Sequence, residues 1–422
     1  MNKNVVVSGS LYGDEGKGRL ADYLADKAKV CVRFNGSNNA GHSIHRNNQK
    51  FITHIIPSGV ISGNIGVITN GCFIDPTKLI AEIEEMRSKG INITPDNLKI
   101  SYACHITTPL HIAIDVYTEE QLGANKIGST KTGNSPTAID KYARRGLRML
   151  ELTNPDKLRN HYPEEAYIQL AEKYSVGLSY SQFIDQLTSA GQQLLPYMTD
   201  TSLYLSVAVK KGGVIFEGAQ STLLDIDYAA YPNCTAGNCL ASYAAVSGGF
   251  GHQYIHETIG VVKAFVSQVG SGYLPTRMPE EIEDGFREFS GEYGATTGRK
   301  RKLGWLDLPM LRYSVRVNGL TSLAITRLDT LNWFEKVKVC DYYLIDGKEV
   351  YDLPMDRDLL AKAVPHYVEF EGWKDKNINS IRKKSMLPGE MLDFLDFIED
   401  SVEAEFGYIS VGKNKDEMIE VA

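Results

Sequence analysis

The stretch from Val5 to Ala25 constrains the fold most, because an apolar run, Val5-Val6-Val7, leads into a glycine-rich segment from Gly9 to Gly18 and then into helically spaced residues from Arg19 to Ala25. Strand, loop and helix in that order put the loop at a helix start, where unpaired backbone N–H groups and the helix dipole favour a phosphate. In Gly13-Asp14-Glu15-Gly16-Lys17-Gly18 the glycines permit close approach and Lys17 adds a point charge. The common phosphate-loop pattern is not reproduced: Leu11 stands in place of the first glycine and Gly18 in place of the metal-binding hydroxyl. Carboxylates inside a phosphate cradle are costly unless they hold Mg2+ or move a proton, so Asp14 and Glu15 point to chemistry beyond phosphate binding.

The alternation continues downstream. Val30-Cys31-Val32-Arg33-Phe34 reads as a buried strand, Asp75 to Lys89 as an amphipathic helix, Leu98-Lys99-Ile100-Ser101 as a strand and Leu110 to Leu122 as a helix. From about Asn154 to Ala208 helix formers dominate, which predicts a helical insertion at about 150–210 before the strand Val214-Ile215-Phe216. The sheet pattern resumes at Ile259 to Phe265, Ser322 to Ile325 and Val337 to Cys340, with a hairpin at Asp346-Gly347, a helix from Gly389 to Phe406 and a last strand from Tyr408 to Val411. The expected fold is α/β: a large, mainly parallel central sheet flanked by helices, with a phosphate loop and a helical insertion. No low-complexity linker or repeat interrupts it, so residues 1–422 read as one domain.

A net charge of −7 excludes a broad nucleic-acid surface, which needs an excess of Lys and Arg. No apolar run approaches the roughly 18–20 residues of a membrane span, and the start lacks the layout of a secretion signal. The cysteines are scattered without metal-knuckle spacing, which suits reduced thiols and a cytosolic setting. Basic residues bunch at Arg144-Arg145-Gly146-Leu147-Arg148 and Arg299-Lys300-Arg301-Lys302, as small-anion pockets or as solvated patches.

Asn38-Asn39-Ala40-Gly41-His42-Ser43 follows the second strand at its expected carboxyl end, the edge where open α/β sheets place ligands. With asparagines and a glycine beside it and no apolar neighbour to bury it, His42 is expected to face a ligand.

Gly-Asp-Glu-Gly-Lys-Gly followed by Asn-Ala-Gly-His resembles the two leading signatures of the adenylosuccinate synthetase family. Further blocks match in order: Ile55-Ile56-Pro57-Ser58-Gly59, Ile127-Gly128-Ser129-Thr130, Asp140 to Gly146, Phe216-Glu217-Gly218-Ala219-Gln220, Leu224-Asp225-Ile226-Asp227, Gly260 to Ala264, Ala295-Thr296-Thr297-Gly298-Arg299, Gly304-Trp305 and Arg327-Leu328-Asp329. The resemblance spans nearly the whole chain.

The resemblance implies a ligase that forms adenylosuccinate from IMP and L-aspartate, with GTP hydrolysis and a 6-phosphoryl intermediate. It implies Asp14 as the base at purine N1, His42 as the stabiliser of charge at O6 and the moving phosphoryl group, Lys17 as a neutralising charge and Gln220 on the purine edge. Mg2+ is implied between the phosphates, at the Asp14 carboxylate and the Gly41 carbonyl. Asn39, Thr130, Thr235, Arg299 and Arg144 are implied as contacts of the acceptor nucleotide, with Arg144 crossing from the opposite subunit of a homodimer. Thr297, Arg299 and Arg301 are implied as the aspartate pocket. Gly13, Glu15, Gly16, Lys17, Gly18, Gly41, His42, Arg327, Asp329 and Gly412 are implied around the triphosphate.

Several positions depart from the family pattern. Arg327 stands for a usual lysine, Gly412-Lys413 for Gly-Pro, Tyr12 for tryptophan, Asn35 for glutamine, Ser37 for glycine, Ala236 for serine, Gln268 for arginine and Tyr273 for proline. These leave open ATP in place of GTP, and a rival of the same family acting on GMP or dGMP to form 2-aminoadenylosuccinate. A catalytically inactive GTP-binding regulator is the reading of another class, opposed by retention of Asp14, Lys17, His42 and both loop arginines. A dinucleotide oxidoreductase is disfavoured because the Gly9 to Gly18 spacing is not Gly-x-Gly-x-x-Gly.

Overall fold

The computed structural model describes residues 2–421 except 47–48, 124–125, 127, 271 and 295–297. Val5–Gly9 forms the first strand and is buried along its whole length. Val5 and Val7 pack with Leu20, Ala21 and Leu24 of the helix Lys17–Ala25, while Val6 faces Leu205, Val209 and Phe216 on the other side. Burial on both faces explains why this strand reads as a continuous apolar run and not as an alternation, the signature of a parallel sheet covered by helices.

That sheet has ten strands, and Val5–Gly9 lies near its middle between Val214–Glu217 and Glu257–Lys263. Val30–Arg33, Ile65–Ile68, Leu98–Ser101 and Met198–Thr199 extend it on one side, and Ser322–Thr326 and Phe406–Ser410 on the other. Among the described residues its pairings are parallel except where Met418–Glu420 runs antiparallel to Phe406–Ser410. The carboxyl ends of Val5–Gly9, Val30–Arg33, Val214–Glu217 and Glu257–Lys263 therefore share one edge.

The helical insertion comprises Pro155–His161, Glu164–Tyr174, Tyr180–Leu194 and Thr201–Lys211. Its Tyr167, Phe183 and Leu187 join Ile83 and Met86 of the helix Pro76–Ser88 in one apolar cluster. Asn154, Ser179 and Asp200 cap three of these helices with side-chain acceptors, which fixes where each begins.

Three sequence expectations need correction. Ile259 to Phe265 is not one strand: the chain bends at Ala264, ending Glu257–Lys263 in the main sheet and starting Phe265–Gln268 in a second, five-stranded sheet. Lys336–Ile345 also belongs to that second sheet, pairing antiparallel with Lys348–Val350 and Val364–Glu371. The helix expected from Gly389 to Phe406 stops at Val402, because Glu403 takes a left-handed conformation and the chain turns into the strand Phe406–Ser410. No described helix is long and apolar enough to cross a membrane.

Candidate active site

The phosphate loop is shaped by residues in left-handed conformations, Gly13, Asp14 and Gly16. A methyl group on Gly9 would collide with Ser221 Oγ and Glu15, and one on Gly18 would meet His42 Cβ at 2.6 Å. The absence of side chains at these two positions is therefore what lets Ser221 and His42 close in on the loop.

The two loop acids part company. Glu15 is buried and turned inward, its carboxylate accepting from the N–H groups of Leu11 (2.8 Å) and Gly13 (3.1 Å), from Lys17 Nζ (2.7 Å) and from Ser221 Oγ (2.6 Å). That environment satisfies the charge within the loop itself, so the cost foreseen for an acid in the cradle is met by the protein's own donors. Asp14 faces outward with 36 % of its side chain exposed, and Arg301 Nη2 donates to its Oδ2 at 2.6 Å.

His42 lines a cavity, but contrary to the sequence reading it is buried. It opens the hairpin strand His42–Arg46, paired with Gln49–Thr53. Its Nδ1 is held by Glu217 Oε1, Arg33 Nη1 lies 3.1 Å from the same nitrogen, and Ser58 N donates to Glu217 Oε2 at 2.7 Å. Burial and the Arg33 charge outweigh Glu217 and lower the His42 pKa to about 4. Burial would raise Glu217, but Arg33, His42 and Ser58 hold it far below the usual carboxylate range. His42 is thus a neutral imidazole at neutral pH, fixed through Nδ1 against an ionised carboxylate.

Asp14 and His42 both border this cavity, whose volume is about 660 Å³. Of the residues singled out from sequence, Gly13, Asp14, Gly16, Lys17, Gly18, Asn39, Gly41 and His42 line it from the phosphate-loop side. Thr130, Gln220, Thr235, Arg299, Arg301 and Arg327 line it from the remaining sides. Gln220, in a left-handed conformation, donates to Asn39 Oδ1 at 3.0 Å, and Arg299 Nη1 donates to Gly128 O at 3.0 Å.

Asp329 and Gly412 do not line the cavity. Arg19, on the helix that follows the phosphate loop, donates to Ser410 Oγ (2.6 Å), Gly412 O and Asn414 O (2.6 Å), and its charge acts on Asp329. Asp329 Oδ1 is buried with no hydrogen-bond partner, and burial raises its pKa. Arg144 is exposed and lies away from this chain's own cavity. Thr297 lies outside the described residues.

Sequence reasoning gave no role to Arg33, Glu217 or Lys263, yet a signal was present. Each is the charged last residue of a strand at the sheet edge that opens on the cavity: Val30–Arg33 and Val214–Glu217 are otherwise apolar and wholly buried, and Glu257–Lys263 is buried from Thr258 onward. Ser58 and Ser221 carry no comparable mark.

Among the described residues no cluster of three or more His, Cys, Asp or Glu side chains could hold a metal. Mg2+ does not require one, since it is bound by one or two carboxylates together with substrate phosphates and water. The outward Asp14 carboxylate and the adjacent Gly41 backbone, both on the cavity wall, are hard oxygen donors of that kind.

A phosphate loop carrying an outward acid, a carboxylate-fixed imidazole, and guanidinium groups across the same cavity together define a nucleotide-dependent ligase. The family model described as adenylosuccinate synthetase matches residues 6–419, and the chain belongs to that family. It is 42 % identical to the adenylosuccinate synthetase of Caldanaerobacter subterraneus subsp. tengcongensis over 98 % of both chains. It is 41 % identical to that of Thermodesulfovibrio yellowstonii, again over 98 % of both. The fully ligated Plasmodium falciparum adenylosuccinate synthetase superposes with a TM-score of 0.93 at 30 % identity, covering all of each chain. The succinoaminodeoxyadenylate synthetase of cyanophage S-2L, bound to dGMP and dATP, shares the fold at a TM-score of 0.63 and 16 % identity, over 100 % of this chain and 95 % of that one. The readings as a GMP or dGMP ligase and as an inactive regulator are not favoured by this pattern.

Proposed function

We propose that this chain joins L-aspartate to carbon 6 of IMP at the expense of GTP, in purine nucleotide biosynthesis and in the cytosol. The observation that carries the reading is the convergence of Asp14, His42, Arg299 and Arg301 on one cavity at the carboxyl edge of the sheet.

Asp14 takes the proton from N1 of the purine, and the electron pair moves to O6. O6 forms a bond to the γ-phosphorus while the bond from that phosphorus to the bridging oxygen breaks, releasing GDP. The aspartate amine then bonds to carbon 6, the C6–O6 bond breaks with loss of phosphate, and the amine gives up a proton. His42 meets the triphosphate as a neutral ring; negative charge beside Nε2 raises its proton affinity, the ring takes a proton from water as the triphosphate enters, and the imidazolium stabilises the moving phosphoryl group. Lys17 lies on the same wall. Mg2+ at Asp14 and Gly41 would supply charge neutralisation on the phosphates.

Asn39, Thr130 and Thr235 hold the 5′-phosphate of IMP, and Gln220 holds the purine edge. Arg299 and Arg301 supply the two planar forks that a dicarboxylate needs. The unpartnered Asp329 Oδ1 supports guanine over adenine, because guanine offers N–H donors at N1 and N2. The exposed Arg144 serves the second site of a homodimer. Mixing inactive Arg144→Leu and Asp14→Asn proteins is then expected to restore part of the activity in hybrid dimers; no restoration on mixing would remove the shared site.

Turnover with IMP, GMP or dGMP and with GTP or ATP tests the reading as a whole. Adenylosuccinate, GDP and phosphate should form in equal amounts from IMP, GTP and aspartate with Mg2+. Faster turnover of dGMP, or GTP hydrolysis that leaves aspartate untouched, would overturn it.

A further inference from the structure

Lys263, Arg301 and Arg327, all on the cavity wall, converge on a carboxylate to which the proposed reaction gives no part. Glu292 is 3 % exposed. Its Oε1 accepts from Lys263 Nζ at 2.9 Å and lies 3.6 Å from Arg327 Nη2, and its Oε2 accepts from Lys263 Nζ at 2.8 Å and from Arg301 Nη1. Burial would raise its pKa, but the three cations hold it at about 2, so it carries a full negative charge.

The two guanidinium groups come from different parts of the fold. Arg301 leads out of the segment that carries Arg299, and its other terminal nitrogen is on Asp14. Arg327 follows the main-sheet strand Ser322–Thr326 and starts the turn Leu328–Trp333 that bears Asp329. Arg301 Nε and Arg327 Nε are both buried without partners, so neither guanidinium is fully satisfied. Lys263 is held from a third side, donating also to Ser267 Oγ at 2.7 Å.

One carboxylate cannot satisfy three cations equally. A ligand carboxylate that takes Arg301 withdraws that guanidinium from Oε2, and the freed negative charge is redistributed to Lys263 and Arg327. The Arg327 contact, long at 3.6 Å while the same Nη2 donates to Ser290 O, is the one with room to shorten. Firming Arg327 orders the start of the turn that carries Asp329.

From this geometry we infer that Glu292 couples the amino-acid end of the cavity to the donor-base end, so that aspartate and the donor nucleotide tighten each other's binding. The inference rests on the proposed function for the identity of the two ligands. Glu292, which lines the cavity, is a positioning residue in this role, acting through Arg301 and Arg327.

The test is calorimetric titration of a non-hydrolysable GTP analogue into full-length protein saturated with IMP and Mg2+, with and without aspartate. Between-site couplings typically change affinity about 5- to 150-fold. Wild-type protein should bind the analogue at least about 5-fold more tightly with aspartate present, and aspartate should gain by the same factor from the analogue. In Glu292→Gln the two affinities should become independent, with a ratio near one. Arg327→Gln breaks the link from its other end and keeps the test alive if Glu292→Gln does not fold. A merely structural role for Glu292 would weaken each ligand separately and leave the ratio intact; that result in both variants overturns the inference, as does a ratio near one in wild type. Absence of adenylosuccinate in the wild-type turnover control would instead sink the proposed function.

Discussion

The two sides of the cavity are built to different rules. On the phosphate-loop side the two inward carboxylates are saturated: Glu15 collects two backbone N–H groups, Lys17 and Ser221, and Glu217 collects His42 and both donors of Ser58. Among the described residues Arg19 and Arg33 keep unbonded nitrogens there, and Arg33 acts on the His42–Glu217 pair chiefly through its charge. On the arginine side, Arg301 Nε, Arg327 Nε and Asp329 Oδ1 are buried without partners. A buried polar group left unpaired costs about 1–3 kcal/mol, so the second side holds unmet bonding capacity that a ligand can satisfy. The first side is a finished scaffold for chemistry, and the second is a receptor completed by what it binds.

The largest expected effect separates reaction from scaffold. Asp14→Asn removes the base but leaves Glu15 and the loop's own hydrogen bonds in place. Adenylosuccinate formation should fall by about 1,000-fold or more, with triphosphate affinity changed little, as measured by steady-state kinetics and calorimetry. Activity within tenfold of wild type would deny Asp14 its role.

Glu217→Gln attacks the finished side at its centre. Losing one member of a buried ionic network typically costs about 3 kcal/mol or more. The urea midpoint should drop accordingly, and kcat should fall by about 100-fold as His42 loses its anchor. A variant as stable as wild type would show that the network is not what holds this half together.

Arg301→Leu probes the other half. Removing one fork of a bidentate carboxylate site should raise the KM for aspartate about 30-fold or more, from the loss of about 2 kcal/mol in charge-assisted hydrogen bonds, while the KM for IMP stays within a few-fold. Equal losses for both substrates would place Arg301 elsewhere.

The smallest effect is a pH slope. His42 titrates near 6.5 when unfolded and near 4 when folded, so between those values the unfolded chain binds the additional proton. His42 therefore reduces stability progressively as pH falls from about 6.5 to about 4, by at most about 3 kcal/mol. Denaturant unfolding across that window should show a shallower slope for His42→Gln than for wild type, and parallel slopes would contradict the depressed pKa.

The sequence showed the main sheet clearly and the second sheet poorly, for a physical reason. Continuous apolar runs such as Val5-Val6-Val7 mark strands covered on both faces, and those strands belong to the parallel sheet. Lys336-Val337-Lys338-Val339 instead alternates, with the valines buried and the lysines more open, as befits an antiparallel sheet with one solvated face. Periodicity shows that a strand exists and which of its faces is wet; it does not say which strand lies beside it. The site was legible in the same uneven way. Motif residues on loops or at a loop's end, such as Asp14, His42, Gln220 and Arg301, stood out by composition. Of the buried partners that hold them, Glu217 is 175 residues from His42, whereas Arg33 and Glu292 are each nine residues from the side chain they meet, a spacing that matches no helix or strand period and so carries no local signal.

The Arg19 side chain ties the helix that begins at the phosphate loop to Ser410, Gly412 and Asn414, next to Asp329. On the proposed function, a donor held by its phosphates at one end and its base at the other would lie between two jaws pinned to a common arm. Such a caliper would gauge molecular length as well as chemical identity. Inorganic triphosphate would engage one jaw and a free nucleoside the other, and neither would span the distance.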